Sequence, residues 1–253
     1  MFGTAPAAGR PEFVHWLARD PHADRSCSLS SVPAPLMPPL VNPAALFRLR
    51  LRCPRRDVLW PPAGWGIDEG CRLPSFAAVT GVPDVVELSL AWNDAGLGIR
   101  AVARGIGAAR WCQPTKPEDS DGLHVWIATR PTGESHRAGR YCRRLALLPT
   151  GGGVRADRPA AVSPPIPRAS EAPPDLHGDA IRMEARCGAD GWSIDAFVTA
   201  AALPGWDPAE VPRLGFFAAV IDRRLGRVPC FAPPEFPWEG DPTTWTELEL
   251  VRR

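Results

Sequence analysis

The segment SDGLHVWIATR, Ser120 to Arg130, is the stretch on which the reading of the fold turns. A polar, glycine-containing start runs into Leu-His-Val-Trp-Ile-Ala-Thr, which reads as a strand. One face carries Leu123, Val125 and Ile127; the other carries His124, Trp126 and Ala128. The large second face is a packed layer, a ligand platform or a metal site. Trp126 is expected to point inward, together with the other strand tryptophans Trp192 and Trp245. RYCRRLALLP, reached through PTGESHRAG, reads as the antiparallel neighbour of this strand.

Working outward, the same period of two recurs. In ALFRLRLRC, Phe47, Leu49 and Leu51 face one way, and Arg48, Arg50 and Arg52 the other, the pattern of a half-buried strand. VPDVVELSLAWND and GLGIRAVARG form a hairpin through the Asn93-Asp94-Ala95-Gly96 turn. AIRMEARC and GWSIDAFVTA flank a second turn, Gly188-Ala189-Asp190-Gly191. PRLGFFAAVIDRR is long and apolar enough to be central, and WTELELV closes the chain. This gives eight or nine strands with no βα alternation, so the expected fold is all-β, an antiparallel sandwich of two sheets that cover each other's apolar faces. The 31 prolines and 23 glycines among 253 residues confine order to short segments and make the connections long and stiff. Residues 1–43, which include PEFVHWLARD and a proline-rich run, read as an N-terminal arm, and residues 44–253 as the sandwich domain. Residues 155–178 read as a long surface connection and a candidate functional rim.

Composition narrows the function. The formal net charge of +1 gives no overall basic field, so no nucleic-acid partner is expected. No stretch has the roughly 20 apolar residues of a membrane span and no secretory leader is read, so the expectation is a cytoplasmic protein. The seven cysteines, at 27, 53, 71, 112, 142, 187 and 230, form no CxxC pair, and their odd number favours reduced thiols.

Several pieces, in order, resemble carbohydrate-binding module family 9 and its DOMON-type relatives. AWNDAGLGIRAVARG is similar to the family's aromatic and acidic hairpin, with Trp92, Asn93, Asp94, Leu97 and Ile99 in the matching places. DGLHVWIATR resembles its acidic strand, GWSIDAFVTAAALPGW its strand and Pro-Trp turn, RLGFFAAVIDRR its "Gly-Phe-x-Val" strand, and DPTTWTELEL its closing strand. The resemblance covers roughly residues 44–251. It implies a β-sandwich, a glycan clamped between tryptophans, and structural calcium. His124 and Ala128 stand where the family has Glu and Asp, and Arg223 follows Asp222 in place of an acidic residue.

Candidate ligand residues are therefore the loop tryptophans Trp111 and Trp206, with Trp60 and Trp65 of WPPAGWG at the same end, since an exposed indole stacks on a sugar ring. Arg140 joins them through HRAGRYCRR, in which Arg137, Arg140, Arg143 and Arg144 surround Tyr141 as a basic patch suited to an acidic glycan or a carboxylate-rich protein. Asn93, Asp94, Asp119 and Asp121 offer oxygen ligands for calcium, and turn capping explains them equally. Cys112, His124, His136 and Cys142 offer nitrogen and sulfur for zinc, at no zinc-motif spacing. No GxSxG, HExxH or P-loop occurs. The expected function is non-catalytic carbohydrate binding through loop tryptophans. The alternatives are a structural or protein-interaction module using the arginine patch and proline-rich loops, or a glycan-processing enzyme.

Overall fold

The computed structural model describes residues 48–61, 66–108, 110–131 and 133–252. The expected arm, Phe47 and Trp65 lie outside the described residues. The strands are β1 (Arg50–Pro54), β2 (Val86–Asn93), β3 (Gly96–Ala103), β4 (Gly122–Ala128), β5 (Cys142–Gly152), β6 (Arg158–Val162), β7 (Ile181–Cys187), β8 (Trp192–Thr199), β9 (Arg213–Asp222), β10 (Gly226–Pro229) and β11 (Thr246–Val251). They form a seven-stranded sheet, ordered β1-β11-β9-β4-β5-β6 with β10 also on β9, and a four-stranded sheet, ordered β2-β3-β8-β7. The expected two-sheet sandwich is the fold observed. Among the described residues no helix is long and apolar enough to cross a membrane.

Two details depart from the sequence reading. β6 and β10 are additional strands, and each contains a proline, Pro159 and Pro229. Proline removes a ladder donor, so such segments pair only at a margin; β6 is the sheet edge and β10 pairs β9 alone. The sandwich is also not wholly antiparallel, because β1 runs parallel to β11, Leu51 opposite Leu248 and Cys53 opposite Leu250. Past β1, Arg55 bridges to Trp92 of β2, so the chain leaves the large sheet for the small one along this edge. The Trp92 indole donates to the Val251 carbonyl at 3.2 Å and ties the sheets together there.

The expected alternation decides which faces meet. On the large sheet Leu123, Val125 and Ile127 of β4 lie in register with Leu147, Leu145 and Arg143 of β5, and with Val220, Ala218 and Phe216 of β9. The small sheet answers with Leu88, Leu90, Trp92, Leu97, Ile99, Ile194, Ala196 and Val198, all buried. Each outer face is then roofed by a connection. Leu59, Ile67 and Cys71 pack on Ala91 and Phe197 over the small sheet. Over the large sheet, residues between β10 and β11 bring in Trp238, stacked on Phe217 at 5.1 Å and edge-on to Trp126 at 5.1 Å. Trp126 is fully buried. It lies under this roof rather than between the sheets, because β4 is buried on both faces and its even-numbered residues point away from the partner sheet. The second face of SDGLHVWIATR is thus a packed layer along most of its length.

Candidate functional site

The loop tryptophans do not converge. Trp111 sits at the end of the sandwich where β4 begins: its backbone N–H donates to Asp121 Oδ2 at 2.6 Å, and the Arg223 guanidinium lies 4.6 Å above its ring. Trp206 is at the opposite end, beside the β2–β3 hairpin, with its indole N–H donating to the Asp94 carbonyl at 3.2 Å. Trp60 packs on the roof of the small sheet. Trp111 and Trp206 therefore cannot clamp one small ligand, whatever each does separately.

The oxygen and thiol sets are divided in the same way. Asn93 and Asp94 belong to the hairpin end, whereas Asp119 and Asp121 belong to the β4 entrance. Asn93 Oδ1 accepts from the Ala95 N–H at 3.0 Å, and its amide donates to the Asp57 carbonyl at 3.2 Å. Asp94 pairs with Arg55 at 3.0 Å, and Asp121 Oδ1 accepts from the Arg223 N–H at 2.8 Å. Asn93→Ala is expected to lower the unfolding free energy by about 1–2 kcal/mol, through the two lost hydrogen bonds. Urea denaturation with and without added calcium checks this, and an equal difference in both buffers identifies a turn cap rather than a cation ligand.

Of the zinc set, His124 is buried beneath the roof, His136 is exposed and pairs with Asp241 at 2.8 Å, and Cys112 lies at the β4 entrance, far along the sheet from Cys142. Burial pushes the Cys112 and Cys142 thiols up, away from the thiolate a metal needs. Among the described residues no three His, Cys, Asp or Glu side chains gather as a ligand group.

The basic patch is split by the pleat. Arg143 and Arg144 are consecutive in β5 and enter opposite faces, at 2% and 4% exposure. Arg143 donates to Ser163 Oγ at 3.0 Å, and Arg144 donates to His124 Nδ1 at 3.1 Å and covers the Trp126 ring. Only Arg137 and Arg140 of the four remain exposed beside Tyr141. Arg140 lies 4.9 Å over the Tyr141 ring and donates to its hydroxyl at 3.0 Å.

What the fold does assemble is a cleft of about 670 Å³ on the outer face of the large sheet, beyond the end of the roof. This lies within the roughly 300–1,000 Å³ typical of small-ligand sites. Its floor follows from the register: Ala128, Gly215 and Cys142 are outer-face positions side by side on β4, β9 and β5, small residues where Trp126 and Phe217 stand two places along. Tyr141 and Trp245 line the cleft, as do Arg48, Arg50, Arg130, Arg137 and Arg213. Trp245 is held in place by its indole N–H, which donates to the Trp238 carbonyl at 2.7 Å. Glu247 binds Arg50 at 2.7 Å and Arg213 at 3.8 Å, and Arg130 pairs with Glu210 at 2.8 Å. The alternation in ALFRLRLRC marks Arg48 and Arg50 as outward residues; nothing local in the sequence joins them to Arg130, Arg213 and Trp245.

No family model matches the chain, and no curated protein matches it by sequence. By structure the chain is similar to a carbohydrate binding module family 9 from Caldicellulosiruptor kristjanssonii in complex with cellotriose, at TM-score 0.54 and 12% identity, over 81% of this chain and 94% of that one. A family 9 module from the same organism in complex with glucose aligns at TM-score 0.50 and 12% identity, over 82% of this chain and 97% of that one. At such identity the likeness is one of architecture: this chain shares the sandwich fold of carbohydrate-binding module family 9.

Proposed function

We propose that this chain is a non-catalytic binding domain for a carbohydrate, and that the ligand occupies the cleft floored by Ala128, Gly215 and Cys142. The observation that carries the reading is the meeting of the half-buried Tyr141, backed by the buried Trp245, with several guanidinium groups in one open depression. Aromatic faces take the apolar side of a sugar ring, and fixed N–H donors take its hydroxyls. The architecture shared with modules bound to cellotriose and glucose supports the same class of ligand. Glycoside hydrolysis generally calls for two carboxyl groups flanking one bond. Among the described lining residues the cleft has one, Glu247, already tied to Arg50 and Arg213, so binding is the chemistry it favours over cleavage.

A glycan array followed by calorimetry on the strongest saccharide tests this. Tyr141→Ala is expected to weaken that binding at least tenfold, about 1.4 kcal/mol, while the melting temperature moves little. Trp111→Ala, at the far end, is expected to leave it unchanged. Loss of binding in Trp111→Ala with none in Tyr141→Ala would move the site to the other end, and no saccharide bound at all would overturn the function.

A further inference from the structure

We infer that the cleft selects a saccharide carrying a negative charge, a carboxylate or a sulfate ester, over a neutral one; this rests on the carbohydrate reading above. Among the described residues five arginines line the cleft against one lining carboxylate, in a chain whose formal net charge is only +1. Glu247 is shared between Arg50 and Arg213, and Glu210 answers Arg130 from outside the lining. Asp241, close to the lining residues Pro242 and Thr243, is turned onto His136 and onto the Thr243 backbone N–H and hydroxyl. Arg48 and Arg137 have no carboxylate within ion-pair distance among the described residues, and both are exposed. They come from separate segments, one leading into β1 and the other leading into β5, and the fold brings both to one depression.

Surplus positive charge in a concave site acts on a ligand more strongly than the same charge on a convex surface, because the protein walls limit solvent screening. A neutral sugar seated on Tyr141 would cover guanidinium groups without answering their charge, which costs binding free energy. An anionic substituent accepts from the guanidinium fork in paired, charge-assisted hydrogen bonds, and carboxylate and sulfate oxygens both suit that geometry. Tyr141 holds the ring while Arg48 and Arg137 read its charge.

Calorimetry of the full chain with trigalacturonate, a heparin-derived tetrasaccharide and cellotriose tests the inference, at two salt concentrations. At least one acidic ligand is expected to bind tenfold or more tighter than cellotriose, and to weaken as salt rises. The double variant Arg48→Gln/Arg137→Gln is expected to weaken the acidic ligand at least tenfold and cellotriose by much less, which removes most of that advantage. Its control is Arg182→Gln/Arg186→Gln, which removes the same charge from exposed positions on β7 and is expected to keep it. Cellotriose bound as tightly as the acidic ligands overturns the charge preference and leaves the carbohydrate reading standing. Equal loss in the control variant, or equal binding of a DNA oligonucleotide, overturns the site in favour of bulk attraction. Failure of every saccharide to bind overturns the carbohydrate reading itself.

Discussion

Trp126→Ala is expected to lower the unfolding free energy by about 3–5 kcal/mol, which urea denaturation would read as a large fall in the transition midpoint at unchanged slope. Trp126 is fully buried at the centre of the outer layer of the large sheet. Phe217 meets it edge-on at 6.1 Å and Trp238 at 5.1 Å, and the Arg144 guanidinium lies 5.0 Å from its ring centre. Alanine removes the side chain that joins the roof to the sheet and strips a buried guanidinium of its aromatic face. Domains of this kind are stable by about 5–15 kcal/mol, so the variant loses a large part of its margin. Trp126→Phe is expected to cost much less. The indole N–H of Trp126 has no hydrogen-bond partner among the described residues, and phenylalanine keeps most of the ring while removing that orphaned donor. A loss below about 1 kcal/mol in the alanine variant would mean that the roof does not pack on β4 in solution.

The same residue shows how far the sequence could be read. Strands with one wet face declared themselves: β1 alternates leucine with arginine, and the β2–β3 and β7–β8 hairpins carry their turns in plain view. β4 did not declare its faces. It is buried on both, so its period of two separates one apolar set from another and gives no sign of what covers each. The roof comes from residues 230–245, whose prolines and isolated aromatics have no periodicity to match against β4. Arg143 and Arg144 misled for a related reason. Charged side chains are seldom fully buried, so a run of arginines around Tyr141 reads as one surface, whereas the pleat sends two of them into opposite layers. The cleft was legible only in fragments. Outward-facing Arg48 and Arg50 followed from alternation, and Tyr141 from its basic neighbours. Their meeting with Trp245 and Arg213 depends on β1, β11 and β9 lying side by side, a long-range pairing with no local signature. The small floor residues Ala128, Gly215 and Cys142 stand out only once the register aligns them.

A stability that falls on acidification, steeply and through one histidine, is the second large effect expected. Burial, and then the charge of Arg144, push the His124 imidazole down to about 3. Its Nδ1 accepts from the Arg144 guanidinium at 3.1 Å, and its Nε2 lies 3.4 Å from the Ser120 carbonyl oxygen, so the neutral ring with hydrogen on Nε2 satisfies both neighbours. In the unfolded chain the same imidazole titrates near its ordinary value of about 6.5. Above that pH both states are neutral and the group's contribution is fully present. Below it the unfolded chain binds a proton that the folded chain refuses, so the contribution is lost at up to about 1.4 kcal/mol per pH unit down to the folded value, roughly 3 kcal/mol by pH 4. Other groups titrate in this range: Asp68, held low by Arg56, adds to the loss, and Asp121, raised by burial, opposes it. The difference between the wild type and His124→Gln removes these common contributions, because glutamine can accept from Arg144 and does not titrate. Urea midpoints between pH 7.5 and 4.5 are expected to show the wild type losing its advantage over the variant only below about pH 6.5. A difference that stays flat across that window would mean that water reaches the imidazole, and with it the layer in which Trp126 and Arg144 are packed.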